Sequence, residues 1–160
     1  MTKATYEKCA PDDARLPAVL DLVRRSFAYM EDRIAPPSSL HRLTVDAIAR
    51  HCDTGEVWVL GDPPLACMFL TEKPNRLYLG KLAVDAGLRG QGIARQLVDL
   101  AAARAVSKGL DTLELEVRIE LIENHQAFGR MGFQIVRHGT HDGFDAPTFY
   151  VMQKTVAELA

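Results

Sequence analysis

A strand, a glycine-rich loop and a long amphipathic helix follow one another between residues 77 and 108, and this order constrains the fold more than any other feature. The run LYLGKLAVD predicts the strand, and the helix is expected from about Gly92 to Lys108. Gly90 and Gly92 let the backbone turn tightly and approach a ligand, because glycine has no Cβ. The first amides of a helix lack intrahelical partners and lie at the positive end of its dipole. The loop is therefore typical of a phosphate or diphosphate site.

The composition is that of an ordinary globular chain. With 160 residues, of which 48% are hydrophobic and 25% charged, we expect a single domain over residues 1–160. A net charge of -2 does not indicate a nucleic-acid partner. No apolar run approaches the roughly 20 residues that span a bilayer, so we expect no membrane partner. The three cysteines are far apart and show no metal-ligand spacing, which fits a reducing cytoplasm.

Hydrophobic periodicity predicts four helices and about seven strands. We expect helices over about 16–30, 44–50, 92–108 and 123–131, and strands over about 2–9, 56–60, 65–71, 77–84, 112–117, 133–137 and 147–154. Short turns join the early strands into an antiparallel meander. The long helix between strands 77–84 and 112–117 predicts a right-handed crossover, which makes those two strands parallel. The expected class is α+β, a mixed sheet covered by helices.

Three classes of ligand could use the glycine loop. A P-loop requires Lys-Ser/Thr after its last glycine, whereas Ile93 and Ala94 stand here. A dinucleotide motif requires a small residue where Arg95 stands, although Glu114 and Glu116 lie near the distance of its acidic residue. The third class is a coenzyme A ester, whose diphosphate would bind the same amides.

The loop and a downstream segment resemble the GNAT acyltransferase superfamily. Its motif Gln/Arg-x-x-Gly-x-Gly/Ala is matched by the run RGQGIA at 89–94. Its segment Asn-x-x-x-Tyr-x-x-x-Gly-Phe is matched by Asn124, Gly132 and Phe133, with Phe128 in place of the tyrosine. The resemblance implies a mixed, mostly antiparallel sheet with helices on both faces and a splayed parallel strand pair. It also implies direct transfer of an acetyl group from acetyl-CoA to a primary amine of a small molecule or a protein.

The resemblance further implies where acetyl-CoA would bind. The pantetheine arm would pair with the backbone of Leu82, Ala83 and Val84, and the amide of Val84 would polarise the thioester carbonyl. Asn124 would hydrogen-bond the cofactor, and Phe128 would pack against the pantetheine arm. The diphosphate would bind Arg89, Gly90, Gln91, Gly92, Ile93, Ala94 and Arg95.

The reaction requires a base for the amine and a proton for the leaving thiolate. Glu114 and Glu116 share one face of the strand after the helix and are the candidate bases; alternatively, this face is simply solvated. Weaker candidates are Glu72, Asp85 and Glu120. Phe128 has no hydroxyl, so the thiolate, whose thiol should have a pKa near ~8.5, would leave unassisted or receive a proton from water or another group. The tyrosines considered for that role are Tyr29, Tyr78 and Tyr150.

The acceptor pocket is expected between loops 34–43 and 138–145, because loops commonly carry specificity. Glu31, Asp32 and Asp142 could attract a cationic amine. His138 and His141 do not have a convincing metal-ligand arrangement, and we expect no metal. A homodimer is also considered. Two alternative functions stay open, namely a non-catalytic acyl-CoA sensor of the same fold and a nicotinamide-dependent oxidoreductase.

Overall fold

The computed structural model describes residues 5–28, 33–36 and 42–156. The expected helix end at residue 30 and the start of the first strand lie outside these ranges. The helices are α1 (Leu16–Phe27), α2 (Val45–Thr54), α3 (Ile93–Ser107) and α4 (Ile122–Arg130). The strands are β1 (Tyr6–Lys8), β2 (Glu56–Leu60), β3 (Ala66–Lys73), β4 (Arg76–Val84), β5 (Thr112–Arg118), β6 (Gln134–Gly139) and β7 (Phe149–Thr155).

The seven strands form one mixed sheet in the order β1-β2-β3-β4-β5-β7-β6. Every neighbouring pair is antiparallel except β4 and β5, which are parallel and joined through α3. This confirms the α+β class, the early meander and the parallel crossover.

Local signals account for most of the element boundaries, with two corrections. The Thr44 side chain caps α2 by accepting a hydrogen bond from the Ala47 amide at 3.1 Å, as is typical of a threonine just before a helix. Asp12 and Asp13 are also residue types that favour N-caps and are sequence candidates to cap α1, but the N-cap is Arg15 and makes no side-chain capping bond. Asp13 instead accepts the Arg15 amide and pairs with its guanidinium. The predicted loop from residue 138 is also too early, because β6 pairs with β7 through residue 139.

Helices cover both faces of the sheet. α1 and α2 contribute Leu22, Ile48 and their neighbours to one apolar cluster, which packs on one face. α3 contributes Leu97 and Ala101 to a second cluster on the other face, and α4 packs against that cluster through Phe128. The two layers explain why β3 is largely buried and why β4 buries Leu77, Leu79 and Ala83.

A bulge in β4 changes which side chains face each cluster. Gly80 and Lys81 together lie opposite the single residue Phe69 of β3. A bulge bends a strand and shifts its side-chain alternation by one residue. Before it, Leu79 belongs to the α3 cluster; after it, Ala83 belongs to the α1 cluster.

The parallel pair is splayed. β4 and β5 are in register only at Leu77–Leu113 and Tyr78–Glu114, at the start of both strands. Beyond these positions the strands separate, so the predicted gap between them is present.

Candidate active site

A cavity of about 770 Å³ opens where β4 and β5 separate. Leu82, Ala83 and Val84 line it from one side and residues 115–118 from the other. These β4 residues pair with β3 along their other edge, while the pairing of β4 with β5 ends at Tyr78. A strand edge without a partner presents N–H and C=O groups that can pair with an extended ligand.

The loop between β4 and α3 leaves backbone amides open. Gly90 and Gly92 have φ values of +81° and +78°, a left-handed conformation that favours glycine. A Cβ placed on either would meet no atom within 4 Å, so the space around this loop is open. Gly92 is the N-cap of α3, and the first turn has neither a side-chain cap nor an acidic residue. These amides therefore suit a negatively charged group.

The side chains of the segment 89–95 have different surroundings. Arg89 and Ala94 line the cavity. Ile93 is only 8% exposed and belongs to the α3 cluster. Gln91 donates to a carbonyl within the loop at 3.5 Å, and Arg95 donates to a carbonyl at the end of α4 at 3.4 Å. Diphosphate binding by this segment stays a prediction that rests on its backbone.

α4 provides another wall. Asn124 and Phe128 line the cavity, as their place in the downstream segment predicts. The ring of Phe128 packs edge-on against Phe133, with ring centroids 5.7 Å apart. Phe128 thus offers an apolar surface to a ligand but no proton.

The two glutamates of β5 lie in different environments. Glu114 is 1% exposed; its Oε1 is 3.0 Å from Arg76 Nε, and its Oε2 accepts a hydrogen bond from Gln153 at 2.8 Å. Burial alone would raise the pKa of Glu114, but Gln153 and Arg76 lower it. Glu116 is exposed and lines the cavity. A solvated strand face therefore does not describe Glu114, and of these two candidate bases Glu116 is the one at the cavity.

The weaker acidic candidates are engaged elsewhere. The Asp85 carboxylate is 3.2 Å from Arg25, and the Glu120 carboxylate accepts the Ala35 amide at 3.1 Å. Glu72, Asp85 and Glu120 are not among the residues lining the cavity.

Of the candidate tyrosines, Tyr78 lines the cavity at the point where the strands separate. Burial raises its pKa, and the charges of Glu116 and Glu114 raise it further. Tyr150 does not line the cavity. Three sequence candidates lie outside the described residues: Tyr29, Glu31 and Asp32.

The sequence did not single out most of the cavity wall formed by the end of β5 and the start of β7. Arg118 and Phe149 face each other across the β5–β7 pair and line the cavity. Arg118 Nη1 donates to the Pro36 carbonyl at 2.7 Å, which ties β5 to the segment after α1. Arg118 continues the alternation of Glu114 and Glu116, so the face of β5 on which it lies was predictable. The position of Phe149 beside the cavity could be predicted only with the pairing of β5 and β7 in hand.

An ion pair closes one side of the cavity. Arg33 and Glu123 both line it, and the guanidinium pairs with both carboxylate oxygens. Arg33 lowers the pKa of Glu123 to about 2. His141 also lines the cavity, although the sequence considered it only as a weak metal ligand.

Neither a metal site nor a membrane span is seen in the described ranges. No group of three or more His, Cys, Asp and Glu side chains in them could hold a metal ion. No helix within residues 5–28, 33–36 and 42–156 has the length and apolar character needed to cross a membrane.

Comparisons with known proteins agree on one family. A family model described as "Acetyltransferase (GNAT) family" matches residues 17–133. N-alpha-acetyltransferase 30 of Saccharomyces cerevisiae is 32% identical over 75 residues, which are 44% of this chain and 43% of that protein. The match thus spans less than half the length of that relative.

Solved structures share the fold. The PaiA N-acetyltransferase of Thermoplasma acidophilum, in complex with coenzyme A, superposes with a TM-score of 0.77 at 14% identity, covering 96% of this chain and 99% of that chain. The ribosomal-protein-S18-alanine N-acetyltransferase of Escherichia coli has a TM-score of 0.68 at 18% identity, with 99% and 97% covered.

Proposed function

The chain belongs to the acetyltransferase (GNAT) family, and we propose that it transfers an acetyl group from acetyl-CoA directly to a primary amine. The observation that carries this proposal is the gap between β4 and β5, which meets the open amides of α3 in a single region. The gap offers a strand edge to an extended arm, and the helix start offers amides to a diphosphate. A ligand with both parts in that order is a coenzyme A ester.

The residues present fit such a co-substrate. We propose that Leu82, Ala83 and Val84 pair with the pantetheine arm and that the amide of Val84 stabilises negative charge developing on the thioester oxygen. The open space around Gly90 and Gly92 leaves room for the diphosphate. When bound, acetyl-CoA supplies the activated acetyl group, and the protein contributes chiefly the alignment of two reactants.

The acceptor would enter from the side of the cavity formed by Glu116, Arg118 and Phe149. This side carries the negative charge of Glu116 and the positive charge of Arg118, so it accommodates an amine that also bears polar groups. One relative is named an N-alpha-acetyltransferase, one structural neighbour is a ribosomal-protein-S18-alanine N-acetyltransferase and another is a nourseothricin acetyltransferase. We therefore propose a primary amine of a protein or of a small molecule as the acceptor.

We also place the reaction in the cytoplasm. The proposal is supported by the cysteines Cys9, Cys52 and Cys67, all of which are present as free thiols.

The test is release of coenzyme A thiol from acetyl-CoA in the presence of an amine panel. The panel contains alanine- and methionine-starting peptides, a lysine-containing peptide, spermidine and nourseothricin. We expect thiol release with at least one amine, and a mass increase of one acetyl group on that amine. No release with any member would overturn the proposal. In that case a stabilising shift with acetyl-CoA would favour an acyl-CoA sensor.

Binding is measured separately by thermal denaturation. Acetyl-CoA at 100 times its Kd should stabilise the native state by about 2.7 kcal/mol, or about 5–10 °C in Tm. NADH at the same concentration should produce no shift. A shift with NADH alone would support an oxidoreductase instead.

A further inference from the structure

His141 occupies a distinctive position among the histidines that the structure describes. It lines the cavity. His51 contacts the Leu70 carbonyl, His125 contacts a backbone carbonyl before α4, and neither lines the cavity. His138 is exposed on β6, and it too lies outside the cavity wall.

Thr148 holds the imidazole in place. The His141 amide donates to Thr148 Oγ1 at 3.0 Å, and His141 Nδ1 contacts the same oxygen. The Thr148 side chain is buried, and its own amide donates to the Gly139 carbonyl at 2.8 Å. The ring of His141 also packs edge-on against Phe149, with centroids 5.1 Å apart. The ring is thus fixed by the start of β7, and Nε2 is the nitrogen that Thr148 does not engage.

We propose that His141 is the general base that accepts a proton from the acceptor amine, with Thr148 as the residue that positions it. The proposal rests on the acetyltransferase function proposed above. It requires the tautomer in which Nδ1–H donates to Thr148 Oγ1, whose two lone pairs can accept both this proton and the backbone N–H. Nε2 then carries the free lone pair.

The proton balance is simple. The neutral amine attacks the thioester carbonyl, the C–N bond forms and the C–S bond breaks. His141 Nε2 takes one proton from the attacking nitrogen, and the imidazolium returns it through water to the departing thiolate. The products are the amide and the free thiol, so no further proton donor is needed. This route accounts for the absence of a hydroxyl at Phe128.

Burial and the charge of Arg118 favour the neutral form of the ring. Burial lowers the pKa of His141, and the charge of Arg118 on β5 lowers it further. Glu116, Asp142 and Glu120 act in the opposite direction but do not reverse the shift. A histidine close to neutrality is well suited to this role, because a base is most efficient when its pKa lies near the working pH.

The first experiment compares His141→Gln with His138→Gln, a matched change in the same hairpin but outside the cavity. The assay uses acetyl-CoA and an amine that is active in the panel. We expect His141→Gln to lower kcat by about 100-fold or more, without changing the KM for acetyl-CoA. His138→Gln should behave as wild type. The ratio of wild-type to His141→Gln kcat should fall towards one as the pH drops below the pKa of His141, because a protonated imidazole cannot act as a base.

The second experiment tests the positioning residue with Thr148→Val and Thr148→Ser. Valine removes the oxygen at nearly constant volume, whereas serine keeps it. We expect Thr148→Val to lower kcat and Thr148→Ser to restore it. Nitrogen-15 NMR of the imidazole, recorded without any ligand, should show the proton on Nδ1 in the wild type and a changed tautomer balance in Thr148→Val.

These measurements separate the two proposals. An active wild-type enzyme with an equally active His141→Gln variant overturns the role of His141 and leaves the acetyltransferase function standing. An inactive wild type overturns both. A wild-type imidazole with its proton on Nε2 overturns the role of His141, whatever the activity.

Discussion

Replacing Gly92 by alanine separates backbone strain from ligand binding, because Gly109 at the other end of α3 offers a matched control. The two glycines have φ values of +78° and +73°, and a Cβ at either would meet no atom within 4 Å. An L-residue in the left-handed conformation costs about 1–2 kcal/mol. Each variant should therefore lose that much free energy of unfolding, which corresponds to about 2–8 °C in Tm for a chain of this size.

The two variants should differ in coenzyme A affinity. Only Gly92 precedes the amides that we expect to hold the diphosphate. An extra methyl in a filled site costs about 1–3 kcal/mol, so Gly92→Ala should weaken binding by about 5- to 150-fold. Gly92→Glu adds a like charge that costs about 1 kcal/mol at 4 Å in water and about 4 kcal/mol at an effective dielectric constant of 20. Its affinity should fall by about 5- to 1000-fold.

The assay is isothermal titration of each variant with coenzyme A, alongside thermal denaturation without ligand. The expected pattern is equal loss of stability in Gly92→Ala and Gly109→Ala, with loss of affinity in Gly92→Ala alone. Wild-type affinity in Gly92→Glu would refute the placement of the diphosphate. Equal loss of affinity in both alanine variants would show that strain, and not contact, explains the effect.

Three further predictions concern acidic and aromatic side chains. Glu114→Gln should lower the free energy of unfolding by about 1–3 kcal/mol, because the buried Glu114 position loses its charged contact with the partly exposed Arg76. Glu116→Gln should change the free energy of unfolding by less than about 0.5 kcal/mol while lowering activity. Chemical denaturation measures the stability of each variant, and thiol release measures its activity. Burial alone would raise the pKa of Glu56, but hydrogen bonds from its basic and indole neighbours lower it to about 2. The folded pKa is depressed below the ordinary value of 4.5, so Glu56 should stabilise the fold above pH 4.5 and lose this contribution as the pH falls towards 2. In denaturation measured at a series of pH values, Glu56→Gln should therefore show a smaller loss of stability with acid than the wild type. Phe128→Tyr should leave kcat near its wild-type value if the proton returns through another group, and a large rise would contradict that route.

The loop and helix were predictable because their signals are local. Gly90 and Gly92 mark a backbone that needs positive φ, and the apolar stripe from Ile93 to Ala105 marks the buried face of α3. A strand on each side of such a helix leaves little choice of topology. The sequence of this one segment therefore predicted the crossover, whereas the gap between the two strands was implied by the resemblance to the acyltransferase superfamily.

The cavity wall around Phe149 and His141 could not be predicted in the same way. Phe149 and His141 reach it through the pairing of β7 with β5 and through a contact with Thr148, which are tertiary features without a local signature. The buried environment of Glu114 was not predictable for a related reason. Strand alternation correctly placed Glu114 on the same face as Glu116. Whether the Glu114 side chain is exposed to solvent depends on its contacts with Arg76 and Gln153, which alternation does not reveal.

The bulge at Gly80 and Lys81 connects the fold to the proposed chemistry. A regular β4 would keep Leu77, Leu79 and Ala83 on one face, whereas the observed strand places Ala83 in the α1 cluster and turns Leu82 and Val84 towards the α3 cluster. The bend at this bulge lies just after the last pair that β4 forms with β5. Since a bulge bends its own strand while the pairing with β3 continues on either side, β4 can leave β5 without leaving the sheet. The opening in the sheet therefore coincides with the extra residue of the β4 bulge. The same opening exposes the strand edge at which we propose that the acyl donor binds. Side-chain periodicity alone does not show this extra residue.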